Sequence, residues 1–158
     1  MTDLSVMYAK YSPEVFRFVL YLSGNRADAE DITSETFVRA WTAVQPLEMA
    51  TVKGYLLTIA RNLFLQQLRK ASRARALDED IRDPSPGPEL EAEMKASYSA
   101  VMARLQQLPE LDRVALLMSA FEGVPYGDIA RALGISLPAV KMKIHRARLA
   151  LSQLEQPK

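Results

Sequence analysis

The sequence predicts an all-α protein of two small helical domains joined by a flexible acidic linker, and three observations carry that prediction. Apolar residues recur at helical spacing through most of the chain, while the alternating Val, Ile and Thr patterns of strands are missing. Gly and Pro stand at the edges of the periodic segments. Between the two periodic blocks lies Asp83-Pro84-Ser85-Pro86-Gly87-Pro88, whose prolines remove amide donors and turn the preceding residues away from helix. The expected boundaries are a first domain over 1–76, a linker over 77–93 and a second domain over 94–158. At 158 residues, 49% of them hydrophobic, the chain can build a core in each block. Cores of ~70 residues are only marginally stable, so each block is expected to lean on a partner.

Local signals place each element in turn. Ser12-Pro13, an N-cap residue and a first-turn proline, opens a helix through Val15, Phe16, Val19 and Leu20 that Gly24 stops. A second helix is expected from Ala27 to Val44, with Asp28, Glu30 and Asp31 in its first turns where the macrodipole favours acids. Pro46 ends it. The segment Gln45–Lys53 reads as a loop, and a third helix begins near Gly54 and passes through Leu56, Ile59, Ala60 and Leu63 toward Ser72. Beyond the linker, Glu89–Leu108 forms a helix ended by Pro109, and Asp112–Phe121 another ended by Gly123 and Pro125. Two shorter helices follow, from Tyr126 to Leu133 and from Leu137 to Leu154.

The chain carries 20 Lys and Arg against 19 Asp and Glu, and the net charge of +1 taken alone argues against a nucleic-acid partner. Resolved by segment, that total is a cancellation. Residues 1–76 hold 10 basic and 7 acidic side chains, 77–93 hold 1 and 7, and 94–158 hold 9 and 5, giving +3, −6 and +4. The absence of Cys removes disulfide scaffolds, thiolate zinc sites and thiol nucleophiles, and the single His gives an imidazole metal site one ligand. No metal, no cofactor and no enzymatic activity is expected. The start MTDLSVMYAKYSPE lacks the basic head and apolar core of a secretory signal, and no apolar run approaches the ~20 residues that span a bilayer. A cytoplasmic protein without membrane insertion is the expectation.

The sharpest local pattern runs from Tyr126 to Val140. A helix-turn-helix needs a small residue where its helices cross, a residue that tolerates positive φ in the turn, and apolar anchors on the second helix. Ala130, Gly134 and Val140 supply these in order. At ~100° per residue, Val140, Ile144, Ala147 and Leu151 form one stripe that packs inward. The opposite face carries Pro138, Lys141, Met142, His145, Arg146 and Leu149, with Lys143 and Arg148 on its flanks. From Pro138 to Ala150 there are four fixed positive charges and no acid, an asymmetry that favours insertion into a DNA major groove. A second basic run, Arg61 to Arg75, holds five basic residues and no acid. Together they suggest two DNA contacts joined by a spacer.

Three blocks then resemble one family. The runs Asp28-Ala29-Glu30-Asp31-Ile32-Thr33-Ser34-Glu35-Thr36-Phe37-Val38-Arg39-Ala40-Trp41, Tyr55-Leu56-Leu57-Thr58-Ile59-Ala60-Arg61-Asn62 and Val140-Lys141-Met142-Lys143-Ile144-His145-Arg146-Ala147-Arg148 are similar to those of bacterial extracytoplasmic-function (ECF) sigma factors. The resemblance implies a sigma region 2 domain over 1–76 and a sigma region 4 domain over 94–158, working together to direct core RNA polymerase to a promoter. It implies that the second helix meets the clamp coiled coil of the largest polymerase subunit through Asp31, Ser34, Glu35, Val38 and Arg39. It implies minus-10 contacts from Lys53, Tyr55, Arg61, Asn62, Arg69 and Lys70, with the loop Gln45–Lys53 capturing a flipped base. Minus-35 contacts map to Pro138, Lys141, Met142, Lys143, His145 and Arg146, and region 4 also docks on the flap of the second-largest subunit. The acidic linker is expected to thread the positively charged channel near the polymerase active centre. An anti-sigma factor is an expected partner of a monomeric chain that joins the nucleoid within holoenzyme.

The chain departs from the family pattern at Ser34, where Gln is usual, at Tyr55, where Trp is frequent, and at Pro138-Ala139-Val140-Lys141-Met142-Lys143, where Gly-Thr-Val-Lys-Ser-Arg is common. Met142 makes no ordinary hydrogen bond, and either a thymine methyl is its contact or it marks an unusual minus-35 specificity. The base-capturing loop has no aromatic residue. Phe37 is left as core or polymerase contact, whereas Trp41 is expected in the core. Two other readings stay open: a sigma-like mimic that sequesters an anti-sigma factor, and a stand-alone helix-turn-helix regulator, which is usually a dimer on a palindrome.

Overall fold

The computed structural model describes residues 4–43, 49–77 and 96–152. The described residues are helical apart from short connections. They form α1 (Leu4–Ser23), α2 (Arg26–Thr42), α3 (Val52–Leu77), α4 (Ala96–Gln107), α5 (Glu110–Leu116), α6 (Tyr126–Leu133) and α7 (Leu137–Ser152). The proline-rich acidic linker expected over 77–93 falls, apart from Leu77 at the end of α3, outside the described residues, as do residues 45–48 of the loop expected over Gln45–Lys53.

Helical spacing of apolar residues explains how the first half folds. Val15, Phe18, Val19 and Leu22 line one face of α1 and are buried against Ala29, Ile32 and Phe37 of α2 and Leu56, Leu57, Ala60 and Phe64 of α3. The expected start of α1 at Ser12-Pro13 is corrected, because the helix begins by Leu4 and carries Pro13 in its interior. An interior proline costs ~3 kcal/mol through a lost hydrogen bond and a ring clash. Leu4, Met7 and Tyr11 pack against the core, and Tyr8 meets Phe37 edge-on with ring centroids 4.9 Å apart, which offsets that cost. Gly24 ends α1 at φ 69°, and Asn25 caps α2 by accepting the Asp28 N–H at 2.9 Å.

The second half is built on α5 and α7. The helix expected over Asp112–Phe121 starts at Glu110, and after Leu116 it widens into a π-type turn over Leu117–Phe121, where the Glu122 N–H reaches the Leu117 carbonyl at 3.1 Å. This turn carries Phe121 to Tyr21 of α1, edge-on with centroids 5.4 Å apart. α1 also packs on α4, and α3 packs on α6. Buried apolar residues of both halves consequently form one contiguous cluster, from Val15 to Ala147.

Candidate nucleic-acid interface

The pair α6 and α7 has helix-turn-helix geometry. Gly134 sits at φ 66°, ψ 36°, the left-handed conformation expected of the turn, and the Ile135 N–H closes back on the Ala130 carbonyl at 3.1 Å. Ser136 starts α7 by accepting the Ala139 N–H at 3.2 Å. Val140, Ile144 and Ala147 are buried, and Leu151 is half-buried, so the inward stripe is the one the periodicity gives. Pro138, Lys141, Met142, His145, Arg146 and Arg148 are exposed, with Met142 the most open large apolar side chain among the described residues at 63%.

One acid from elsewhere in the fold reaches this helix. Asp112, buried in the first turn of α5, accepts from Arg146 Nη2 at 3.1 Å and pairs with Lys143 Nζ at 3.7 Å. The Lys143 side chain is only 19% exposed and runs along the α5 side, so it is turned away from the outer face. Arg146 keeps a half-exposed guanidinium. Asp112 thus ties α7 to α5 beside the buried stripe, a contact with no local signal because the partners lie more than thirty residues away.

On the first half, α2 turns Asp31, Ser34, Glu35, Val38 and Arg39 outward on one face, with Glu35 and Arg39 paired at 3.0 Å. Trp41 stands with them at 57% exposure, contrary to its expected place in the core, whereas Phe37 is buried. A cleft between α2 and α3 gathers Asp31, Glu35, Arg39, Gln66 and Lys70. Next to it, Tyr55 and Asn62 line a second cleft with Arg39, Thr42 and Ile59. Arg69 is exposed beside Lys70. Tyr55, Asn62, Arg69 and Lys70 therefore line or border one open face of α3, but Lys53 and Arg61 point elsewhere.

Comparison with known proteins follows this division. Residues 7–74 match the Sigma-70 region 2 family and residues 98–151 match Sigma-70, region 4. The ECF RNA polymerase sigma factor EcfG of Rhodopseudomonas palustris is 31% identical over 147 residues, which cover 90% of this chain and 79% of that one. This chain belongs to the ECF RNA polymerase sigma factors. Sigma factors are transcription initiation factors, not enzymes. SigE of Mycolicibacterium smegmatis is 38% identical over 156 residues, 96% of this chain, although the chain spans only 61% of that relative's length. Among solved structures, the sigma factor RpoE of Bartonella quintana in complex with the anti-sigma factor NepR has a TM-score of 0.81 at 26% identity, covering 98% of this chain and 97% of that one.

In this sigma factor the two remaining minus-10 candidates, Lys53 and Arg61, are held by the second half. Arg61 forms a two-pronged pair with Glu110, at 2.9 and 3.2 Å. Lys53 Nζ donates to the Glu122 carbonyl at 3.1 Å and pairs with Glu14 at 3.3 Å. The buried Glu122 carboxylate takes Arg17 at 2.7 and 2.9 Å, and this hydrogen-bonded pairing raises the arginine's pKa. Asp128, 1% exposed, accepts the N–H of Ala50 at 2.8 Å, the N–H of Thr51 at 3.0 Å and the Thr51 hydroxyl at 2.7 Å. Burial works to raise the Asp128 pKa, but these hydrogen bonds and the Arg131 charge outweigh it and hold the carboxyl below its ordinary value. Arg113 completes the seam by donating to the Leu22 carbonyl at 2.7 Å and the Leu108 carbonyl at 3.1 Å, with its pKa drawn down by burial. None of these pairs is visible as a motif. The one local trace is Gly54, since a helix start that admits another chain segment this closely leaves no room for a Cβ.

Proposed function

We propose that this chain binds core RNA polymerase and directs it to promoters carrying separate minus-10 and minus-35 elements. The observation that carries the reading is α7: a helix-turn-helix recognition helix whose outer face offers Lys141, Met142, His145 and Arg146 with no acid among them. Lys141 and Arg146 reach phosphates and guanine edges, Met142 meets a thymine methyl, and Pro138 abuts the backbone at the helix start. Lys143 braces the helix through Asp112 instead of reading bases. On the first half, Tyr55 and Asn62 serve the minus-10 element at their shared cleft, with Arg69 and Lys70 following the strand and Lys53 and Arg61 joining once released. The α2 face, Asp31 to Arg39 with Trp41, takes the clamp coiled coil of the largest subunit, and the second half takes the flap of the second-largest. The acidic segment 77–93 occupies the positively charged channel between them. As RpoE was solved with an anti-sigma factor, a protein of that class is the proposed regulator here. The work is cytoplasmic, at the nucleoid.

Run-off transcription tests the reading, with purified core polymerase on the DNA upstream of this chain's own coding sequence. A promoter-specific transcript that depends on the added chain is expected. Absence of both transcript and core binding overturns the proposal.

A further inference from the structure

We propose that the minus-35 reader of this chain recognises a C5-methyl group on a pyrimidine, thymine or 5-methylcytosine alike, and that Met142 is the residue that selects it. The inference deepens the assignment of α7 to minus-35 DNA and rests on it. Pro138, Met142, His145 and Leu149 follow one another by four, three and four residues, so at ~100° per residue they fall within ~60° of one another. That line lies opposite the buried stripe of Val140, Ile144 and Ala147, and all four of its residues are exposed. Met142 and Leu149 are 63% and 52% exposed. The outermost line of the helix is therefore apolar apart from one imidazole.

The cations of α7 stand beside this line. Lys141 and Arg148 flank it on one side and Arg146 on the other, while Lys143 is drawn back to Asp112 at 3.7 Å. Arg146 is anchored as well, donating to Asp112 at 3.1 Å with its guanidinium half-exposed. Charges on the two flanks suit the two phosphate backbones that border a major groove, and phosphate contacts position a helix without reporting sequence. The bases are left to the centre line, where His145 offers a polar contact and Met142 an apolar one. A thioether has no N–H or O–H to offer a purine edge and is only a weak acceptor, so Met142 cannot sort bases by hydrogen bonding. Its unbranched, polarisable chain can close on a methyl group, and the C5-methyl of thymine projects into the major groove. Cytosine methylated at C5 displays the same group in the same place.

The probe is a pool of duplexes randomised over about one helical turn, from which the full-length chain, alone and with core polymerase, enriches its preferred site. That site is remade with each pyrimidine position filled in turn by thymine, 5-methylcytosine, uracil or cytosine, the paired purine being adjusted to match. Thymine and 5-methylcytosine carry the methyl, whereas thymine and uracil share one hydrogen-bonding edge and the two cytosines the other. At the position under Met142, the two methylated bases should bind alike and about fourfold tighter than the two unmethylated ones, the effect of burying one methyl group. Met142→Ala should erase this step and leave the fold intact, because the side chain is exposed, and Met142→Leu should keep it. Grouping by edge, thymine with uracil and 5-methylcytosine with cytosine, overturns the proposal. So does a methyl step of equal size in Met142→Ala, or the absence of any enriched site. Run-off transcription keeps the two readings apart. A methyl step on duplex DNA with no transcript from core polymerase overturns the sigma reading alone, and promoter-specific transcription indifferent to the methyl overturns this proposal alone.

Discussion

Gly54 and Asp128 are in contact across the two halves of the chain, and a Cβ at Gly54 would sit 2.5 Å from the Asp128 carboxylate oxygen and 3.2 Å from its Cβ. Asp128 cannot swing aside cheaply, because three hydrogen bonds from Ala50 and Thr51 and a fourth from Arg131 hold it. Alanine normally gains up to ~1 kcal/mol over glycine within a helix. At this position the lost contacts outweigh that gain, and Gly54→Ala is expected to lower stability by about 1–2 kcal/mol in urea unfolding. A stability gain would show that the clash is relieved by a small shift and that the seam is loose.

Asp112 has a separable task. Asp112→Ala removes the acceptor of Arg146 and the counter-charge of Lys143. Arg146 is half-exposed and can return to water, so the expected cost is modest, about 1–2 kcal/mol. The larger effect falls on recognition. With Arg146 and Lys143 no longer held by Asp112, discrimination between minus-35 sequences should fall more than total DNA affinity, as a competition assay with mismatched sites would report. Uniform loss across all sites would instead make Asp112 a stability residue alone.

Sequence and structure agree where the information is local. Gly134, the stripe Val140, Ile144 and Ala147, and most helix limits were legible because capping, positive φ and helical periodicity act over a few residues. Pro13 misled for a physical reason: tertiary packing of Leu4, Met7 and Tyr11 overrode a local breaker. Phe37 and Trp41 lie only ~40° apart around α2. The core covers the first and ends before the second, a limit set by neighbouring helices and not by spacing. The acids Glu110, Asp112, Glu122 and Asp128 read as ordinary helix-surface charge, since apart from the Arg131 contact of Asp128 their partners lie more than thirty and up to 105 residues away and no local pattern records them.

Lys141 and Lys143 are two residues apart on one helix and should behave oppositely. Lys141 is exposed, while Lys143 faces Asp112. Lys141→Ala should leave thermal stability within ~0.5 kcal/mol of wild type and reduce the salt slope of duplex binding by about one. Lys143→Ala should lower stability and leave that slope unchanged. Matching slopes for the two variants would place Lys143 on the DNA.

Trp41 and Val38 give a test of the α2 face. Both are more than half exposed, so truncation leaves no cavity and fold stability should change by no more than ~0.5 kcal/mol. A large aromatic at the centre of an interface often contributes 2 kcal/mol or more, and Trp41→Ala should therefore weaken core polymerase binding by about thirtyfold. Val38→Ala should weaken it less. Unchanged affinity of the tryptophan variant in a core-binding titration would move the polymerase contact away from this end of α2.

Acid should loosen the seam through Asp128. Its carboxyl is held below the ordinary carboxylate pKa when the halves are closed and returns toward ~3.9 when they part, so the closed state binds fewer protons. The stabilisation from this contact is consequently complete above ~pH 4 and is lost as pH falls through the lowered value. Asp128→Asn cannot titrate, and its one acceptor oxygen serves either the Ala50 N–H or the Thr51 donors, which the two carboxylate oxygens divide between them in the wild type. The stability difference between wild type and Asp128→Asn should therefore be constant from neutrality down to about pH 5 and shrink as pH falls below ~4 toward the lowered value, beneath which both closed states carry a neutral side chain. A difference that stays constant to pH 3 would mean that the Asp128 charge contributes nothing beyond its hydrogen-bond geometry, and that closure depends on Glu110 and Glu122 with their arginines.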